Sequence, residues 1–252
     1  MGHETDGSRA WTVLIVSLTT LLFLLTALPA QAAPFHPRAE SLDLTGLNRA
    51  CGVAVDSKGD LYAASAGESK IKVYDASHSL LAEISDANTP CGLAVTATGD
   101  LYVSEKATGE VVRFKPNAYP FAGKPTYGSR EVIDSSKKAA GIAVDPVDSR
   151  LYVAALDHIA VYKSGGAFEA NLGAGTLTEA TGVAAFTYSN GAATNRFLWI
   201  ADAKGLEADR LYLFAGAEGN SLTLRRELSG ASTPDGSFGF GPAGAYLSLI
   251  HI

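Results

Sequence analysis

The sequence predicts an all-β fold made of repeated four-stranded antiparallel units, and three observations lead to this prediction. A glycine-centred motif recurs five times, with its glycines at positions 52, 92, 141, 182 and 236. A pair of one aliphatic and one aromatic residue follows each glycine. After each of the first four pairs comes a short segment with the pattern of a β-strand. The chain of 252 residues also contains 26 glycines, which suits short strands joined by tight turns better than long helices.

The first strand of each unit begins at the repeated glycine. The stretch CGVAVD at 51–56 returns as CGLAVT at 91–96, and looser copies follow. These segments are apolar on both faces, which is typical of a strand buried from both sides. The glycines of this column are Gly52, Gly92, Gly141, Gly182 and Gly236.

Two aromatic columns mark the second and third strands. We predict that the second-strand aromatics are buried between neighbouring units; these are Tyr62, Tyr102, Tyr152, Trp199 and Tyr246. The third-strand column consists of Tyr74, Phe114, Tyr162 and Phe214. In KIKVYD at 70–75, Ile71 and Val73 alternate with Lys70 and Lys72, which indicates a half-buried strand with the lysines outward. Arg113 interrupts this pattern in the second copy, and we expect it to be partly exposed.

Four antiparallel strands per repeat, at a period of 40 to 54 residues, are typical of a β-propeller blade. We expect blades to start near residues 51, 91, 140, 181 and 235, within one domain spanning 34–252. That makes four full blades and a partial fifth. A six-bladed ring of about 45 residues per blade needs about 270 residues. We therefore expect an incomplete six-bladed ring that belongs to a longer natural chain or is completed by a second subunit.

The motif itself resembles a known repeat. TPCGLAV at 89–95 and AGIAVD at 140–145 are similar to NHL repeats, which build six-bladed propellers, and the resemblance covers roughly residues 41 to 248. Together with the apolar N-terminal segment described below, it indicates an exported bacterial-type protein. NHL-type propellers serve as protein-binding or RNA-binding platforms, as sensor domains of bacterial kinases and as lyases, and the fold does not select among these roles.

The N-terminal segment 1–33 is predicted to lie outside the propeller. Residues Trp11 to Ala30 are almost entirely apolar, and Ala30-Gln31-Ala32 follows the small-x-small pattern of a signal-peptide cleavage site. An uncleaved membrane anchor is the alternative, because about 20 apolar residues can span a bilayer. Either interpretation places the rest of the chain outside the cytoplasm, secreted or attached to the membrane only through residues 11–30.

Charge and motif content exclude several classes of function. The formal net charge of −6 is spread along the chain, which argues against a nucleic-acid partner. GFGPAG at 239–244 spells a dinucleotide fingerprint but lacks the helix that such a site requires. The five histidines lack the spacing of a metal site, and turn chemistry explains Asp56 and Asp60. We predict no catalytic, cofactor-binding or metal-ligating residues.

The two cysteines occupy the same position in the first two copies. Cys51 and Cys91 each precede a repeated glycine, and in an exported protein such a pair invites a disulfide. Equivalent positions on adjacent blades, however, usually lie beyond the limit of about 7 Å between Cα atoms. The alternative is therefore two small, buried and unpaired residues near the inner rim.

These observations favour an exported, non-catalytic binding or scaffold protein whose propeller loops contact an unknown protein or cell-surface ligand. The alternative is a metal-dependent lactonase or lyase of the six-bladed class, which the resemblance implies would hold its metal in the channel by acidic, Asn or His side chains. Asp56 and Asp145 end their first strands, but the fourth and fifth copies have no equivalent acid. The insertion at 182–205 is either a binding connection or a tolerated surface addition.

Overall fold

The computed structural model describes residue 44 and residues 46–191, 193–203 and 210–229. They form an all-β structure of four successive four-stranded antiparallel blades, as in a β-propeller. The predicted signal peptide or anchor lies outside the described residues, as do Gly236 and Tyr246 of the predicted fifth blade.

Each blade is a simple meander in which consecutive strands pair. Blade 1 contains β1 (Ala50–Val55), β2 (Leu61–Ser65), β3 (Lys70–Tyr74) and β4 (Leu80–Ser85). Blade 2 contains β5 (Pro90–Val95), β6 (Leu101–Glu105), β7 (Val111–Pro116) and β8 (Tyr127–Asp134). Blade 3 contains β9 (Ile142–Val144), β10 (Leu151–Ala154), β11 (Ile159–Tyr162) and β12 (Phe168–Leu172). Blade 4 contains β13 (Ala180–Ser189), β14 (Thr194–Asp202), β15 (Arg210–Gly216) and β16 (Thr223–Ser229).

The aromatic columns keep one register through all four blades. The third-strand aromatics pair with the aliphatic residue that starts the second-strand motif, as Tyr74 with Leu61 and Phe114 with Leu101. Tyr162 pairs with Leu151 and Phe214 with Leu198 in the same way. All four aromatics are buried. The prediction of one equivalent third-strand position is confirmed.

Helical structure is minimal in the described ranges, where the one helical element is the short 3₁₀ turn Ala66–Glu68. None of the described residues belongs to a helix long and apolar enough to cross a bilayer.

Hydrophobic clusters join each blade to the next. Adjacent second-strand residues point to opposite faces of a blade, so the aliphatic residue packs on the preceding blade and the aromatic on the following one. The cluster between blades 1 and 2 combines Tyr62 and Val73 with Leu101 and Val103. The same arrangement recurs between blades 2 and 3 and between blades 3 and 4.

The burial prediction for the second-strand aromatics is confirmed for three of them. Tyr62, Tyr102 and Tyr152 are fully buried. Trp199 lies on the second strand as predicted but is only partly buried. Trp199 pairs with Ala184 on β13 and with Leu213 on β15. Its side chain lies on the face of the blade opposite Leu198. Among the described residues no hydrophobic cluster covers that face.

The repeated glycines allow the first strands of neighbouring blades to approach closely. A Cβ on Gly141 would lie 2.8 Å from both the carbonyl oxygen of Thr181 and the Cα of Gly182. A Cβ on Gly52 would collide with the carbonyl of Cys91. One on Gly92 would lie 2.6 Å from Ser104 Oγ of its own blade and 3.2 Å from the carbonyl oxygen of Ala140. Each glycine therefore faces the residue that precedes the next glycine of the column.

For two charged side chains of the third strands, the predicted exposure is wrong. Lys72 and Arg113, predicted to be outward or partly exposed, are buried. The Lys72 ammonium lies 2.9 Å from a Glu68 carboxylate oxygen, and Arg113 pairs with Glu131 at 2.8 Å. Arg113 belongs to blade 2, which lies between blades 1 and 3, and the Lys72 ammonium also donates to the carbonyl of Gly46, which precedes blade 1. These long side chains bury their stems and carry the charge to a partner. The alternation of polar and apolar residues does not reveal such pairing.

Candidate binding face

One end of the blades carries most of the exposed large hydrophobic side chains. Because each blade is an antiparallel meander, the turns joining first to second strands and third to fourth strands lie at the same end, which we call the turn face. Of nine exposed large hydrophobics among the described residues, seven lie at or beside these turns: Val55, Leu80, Val147, Phe168, Phe186, Tyr188 and Leu224. Leu156 lies at the opposite end, and Val132 lies within β8. The asymmetry marks the turn face as the candidate binding surface.

The insertion in the fourth copy lengthens a hairpin. β13 and β14 contain 10 and 9 residues, whereas β1 and β2 contain 6 and 5. The pairs from Phe186–Phe197 to Ser189–Thr194 continue beyond the register at which the blade 1 strands end. At about 3.3 Å per residue, these four extra pairs extend the hairpin by about 13 Å on the turn face. The sequence located the extra residues but did not reveal their strand conformation.

One face of this hairpin is anchored to blade 3. Thr187 Oγ1 donates a hydrogen bond to Asp145 Oδ2 at 2.6 Å, and Asp145 is only 1% exposed. Arg196 Nη2 contacts Asp148 Oδ2 at 2.8 Å, and Arg196 Nη1 donates to the carbonyl of Ala217. The contacts to Asp145 and Asp148 fix the orientation of the hairpin relative to blade 3, and the contact to Ala217 holds Arg196 within blade 4.

The anchor belongs to a larger charge network on the turn face. Arg150 bonds to Asp148, and its Nε lies 2.8 Å from Glu169 Oε2. Asn220 Nδ2 donates to Glu169 Oε1 at 3.1 Å. The hydrogen bond from Arg150 holds the pKa of Glu169 below its ordinary value. Arg150 and Arg196 both bond to Asp148, so the contacts form one connected network, and connected polar networks of this kind make a rigid support.

The other face of the hairpin presents aromatic rings. Phe186 and Tyr188 are 50% and 53% exposed, and they alternate with the anchored Thr187 along β13. Phe186 lies across from Phe197, with ring centroids 6.1 Å apart. Large rings held on a rigid strand suit recognition, because little conformational entropy is lost when they are covered.

A second structured connection covers the turn face of blades 1 and 2. The link between β7 and β8 places the Tyr119 hydroxyl 2.8 Å from Ser57 Oγ and 3.3 Å from Asp56 Oδ2. Phe121 is buried beside Tyr119, with ring centroids 5.3 Å apart. Lys58 also bonds to the carbonyl of Phe121. The sequence did not identify this loop as a folded element, although its run Tyr-Pro-Phe at 119–121 is an available signal.

The strand-ending aspartates act in turns. Asp56 Oδ1 accepts hydrogen bonds from the amides of Lys58 and Asp60 at 2.9 and 3.0 Å. Asp145 Oδ1 accepts one from the amide of Val147 at 2.8 Å. Each aspartate thus closes its own turn and, through Oδ2, bonds to another part of the turn face. In the described part of the chain, no three His, Cys, Asp or Glu side chains are grouped so as to hold a metal ion.

The cysteines meet near the opposite end of the inner strands. Cys51 and Cys91 form a disulfide, with their Cα atoms 4.9 Å apart. The expectation that equivalent positions lie too far apart does not hold here. Gly52 lets the Cys91 carbonyl approach to where a side chain would otherwise stand, so the two strands come within disulfide reach.

Polar side chains at the ends of the second strands form a further column, which the sequence analysis did not identify. Ser65, Glu105 and Asp202 each accept hydrogen bonds from the segment that precedes the first strand of the same blade. For Asp202 the donors are the amides of Thr178 and Glu179, at 2.8 and 2.7 Å. The available signal is the recurrence of a polar residue three positions after the second-strand aromatic.

Blade 2 carries a buried pair of acids at this end. Arg130 binds Glu105 through Nε and Nη2, at 2.6 Å each. Burial would raise the pKa of Glu105, but these bonds hold it below its ordinary value. Asp86 is 2% exposed. Burial raises the pKa of Asp86 to about 6, and the nearby charge of Glu105 adds to this, although the Asn88 amide opposes it.

Comparison with known proteins supports the fold alone. No protein-family model matches the sequence, and no curated protein matches it. Among solved structures, BBS1N in complex with ARL6DN is 13% identical with a TM-score of 0.50, over 70% of this chain and 52% of that one. A streptogramin B lyase is 14% identical, with a TM-score of 0.49 over 69% and 53% of the two chains. A gluconolactonase of Xanthomonas campestris is 17% identical, with a TM-score of 0.46 over 65% and 58%. The chain thus spans about half the length of these solved proteins.

Proposed function

We propose that this protein is a non-catalytic binding module that uses its turn face to engage a protein or cell-surface ligand outside the cytoplasm. The observation that carries the proposal is the extended β13–β14 hairpin, which exposes Phe186 and Tyr188 while Thr187 and Arg196 tie its other face to blade 3. Exposed aromatics on a preorganised support are typical of binding surfaces, where such residues supply most of the affinity.

The rest of the turn face supports the same role. Phe168 and Val147, each 59% exposed, lie at turns of blade 3, the blade on which the hairpin is anchored. Single exposed hydrophobics are ordinary on protein surfaces, whereas their concentration at one end of a repeat array is not. A partner that covers the turn face would bury these side chains together with the hairpin.

The disulfide supports an extracytoplasmic location. A bridge between Cys51 and Cys91 is expected where the environment is oxidising and is rare in the cytosol. We propose export through the N-terminal segment, with cleavage after Ala32 or Ala33. The N-terminal residue of the mature protein, read by mass spectrometry, tests this, and an intact Met1 in the membrane fraction would favour the anchor instead.

Site-specific photocrosslinking tests the binding role. A photoreactive phenylalanine analogue replaces Tyr188 or Phe168 on the turn face, and Val132 or Leu156 away from it as matched exposed controls. Each variant is added to intact cells and extracellular fluid of the producing organism. We expect saturable crosslinks to a discrete partner from the turn-face positions, at least about tenfold above the controls, because covered hot-spot positions dominate contact.

Four results would overturn the proposal. Equal labelling from all four positions would indicate non-specific contact, and labelling only from Val132 or Leu156 would place the interface elsewhere. Absence of any saturable crosslink would contradict binding in these compartments. Turnover of a lactone or lyase substrate by the purified chain, lost on removal of divalent metal, would establish the enzymatic alternative.

A further inference from the structure

Blade 4 has the features of a blade that another blade covers. In blades 1 to 3 the second-strand aromatic is fully buried against the following blade. Trp199 occupies that position in blade 4 and is only partly buried. On the same face lie Phe197 and Leu213, also partly exposed, so the face is apolar as well as incompletely covered.

The contacts between neighbouring inner strands follow a rule, and this rule identifies the residue expected to face Gly182. Every repeated glycine of blades 1 to 3 faces the residue that precedes the next repeated glycine: Gly52 faces Cys91, Gly92 faces Ala140 and Gly141 faces Thr181. Blade 4 has a glycine, Gly182, at the same position. A carbonyl group that faced Gly182 would again leave no room for a side chain there. By the rule, its partner is Asp235, which precedes Gly236.

The intervals along the chain place Gly236 in a comparable position. Gly92 lies seven positions after the last residue of β4 and Gly141 seven after that of β8, whereas Gly182 lies ten after that of β12. Gly236 lies seven positions after Ser229, the last described residue of β16. The step from glycine to aromatic is ten positions in blades 1 and 2, and it is ten again from Gly236 to Tyr246.

We propose that residues 235–250 of this same chain dock on the apolar face of blade 4 as the first two strands of a fifth blade. The alternating segment AYLSLI at 245–250 has the character of a second strand. A covalently attached segment with the right connection length has a large advantage in effective concentration over a second copy of the chain. The proposal does not depend on the identity of the ligand, but it bears on the binding role above. Phe186 and Tyr188 lie on the same face of the β13–β14 hairpin as Phe197 and Trp199, so a fifth blade would adjoin these aromatics.

Disulfide trapping tests the register directly. Cys51 and Cys91 mark a pair of equivalent positions on adjacent inner strands, and Thr181 with Asp235 is the corresponding pair for blades 4 and 5. The test variant is therefore Thr181→Cys with Asp235→Cys, and the positive control is Ala140→Cys with Thr181→Cys between described blades. A register control, Thr181→Cys with Ser232→Cys, places the second cysteine three residues away in the same segment.

All variants keep the native cysteines and are oxidised at low protein concentration. Non-reducing electrophoresis, thiol titration and peptide mapping by mass spectrometry locate the bonds. We expect the test pair to close within one chain at least about tenfold faster than the register control, because only the test pair is then within disulfide reach. Equal rates of disulfide formation in the test variant and the register control would indicate that the segment has no fixed register against blade 4. Disulfide-linked dimers would assign the face to a second copy, and free thiols alongside a closed positive control would leave no fifth blade. Each of these three results overturns the proposal.

Discussion

The substitution Gly141→Ala tests how closely the inner strands approach one another. The added methyl group would stand 2.8 Å from the Thr181 oxygen and from the Gly182 Cα, with the Val183 nitrogen at 3.3 Å. All three atoms belong to the backbone of blade 4, so no side chain can rotate away to make room. Relief requires the two blades to separate, and overpacking of this kind costs about 1–3 kcal/mol.

The matched control is Gly128→Ala on the outer strand β8. There the nearest atoms to an added Cβ are the Lys115 oxygen at 3.7 Å and the Asn117 side-chain oxygen at 3.8 Å, which is ordinary contact. Replacement of an unstrained glycine stabilises a protein by about 0.4–1 kcal/mol, because the unfolded chain loses freedom. The two substitutions are therefore expected to change stability in opposite directions.

Thermal unfolding followed by far-ultraviolet circular dichroism measures the difference. For a domain of this size, 1 kcal/mol corresponds to a shift of about 2–4 °C in Tm. We expect Gly141→Ala to unfold about 2–12 °C below the parent protein, with Gly128→Ala at or above it. If the two variants shared one midpoint, the inner strands would not approach as described, and the explanation of the glycine column would fail.

Two further predictions concern titration and crosslinking. The folded pKa of Asp86 is raised to about 6 from 3.8, so the stability that its protonation supplies is full below pH 3.8 and is lost as pH rises through about 6; the loss reaches at most about 3 kcal/mol. Unfolding free energies between pH 4 and 8 should show this decline in the parent but not in Asp86→Asn, and identical pH dependence in both would refute it. The disulfide closes a loop with a sequence separation of 40, for which chain entropy predicts about 4 kcal/mol. Cys51→Ser with Cys91→Ser should therefore unfold at clearly lower temperature than the parent under non-reducing conditions, and unchanged Tm would show that the bridge does not form in solution.

The repeat pattern in the sequence determined the four-stranded blade. Each repeated glycine opens a first strand, and each aliphatic–aromatic pair sets the faces of the second, so pairing between consecutive strands follows from local order. The expectation that the first strands are buried from both sides is wrong for β1, none of whose residues is buried. β12 is an exception, because FEANL at 168–172 is too weakly patterned to be recognised as a fourth strand. The tertiary contacts that hold it come from Arg150 and Asn220, which bind its Glu169.

Within the candidate site, the sequence located the insertion but not its role. Local pattern cannot tell whether extra residues form a loop or lengthen a hairpin. That outcome depends on Asp145 and Asp148, which lie in the turn of another blade and hold Thr187 and Arg196. The exposed faces of Phe186 and Tyr188 follow from this anchoring rather than from their own segment.

What the sequence by itself determined is therefore the blade, its register and the positions that need glycine, because these depend on neighbours in the same repeat or in the next one along the chain. What only the tertiary structure decided is how closely the blades approach. That approach brings Cys51 to Cys91 and buries Lys72 and Arg113 against carboxylates. Burial, ion pairing and disulfide formation depend on the distances between blades. The polarity of the side chains along one strand gives no information about those distances.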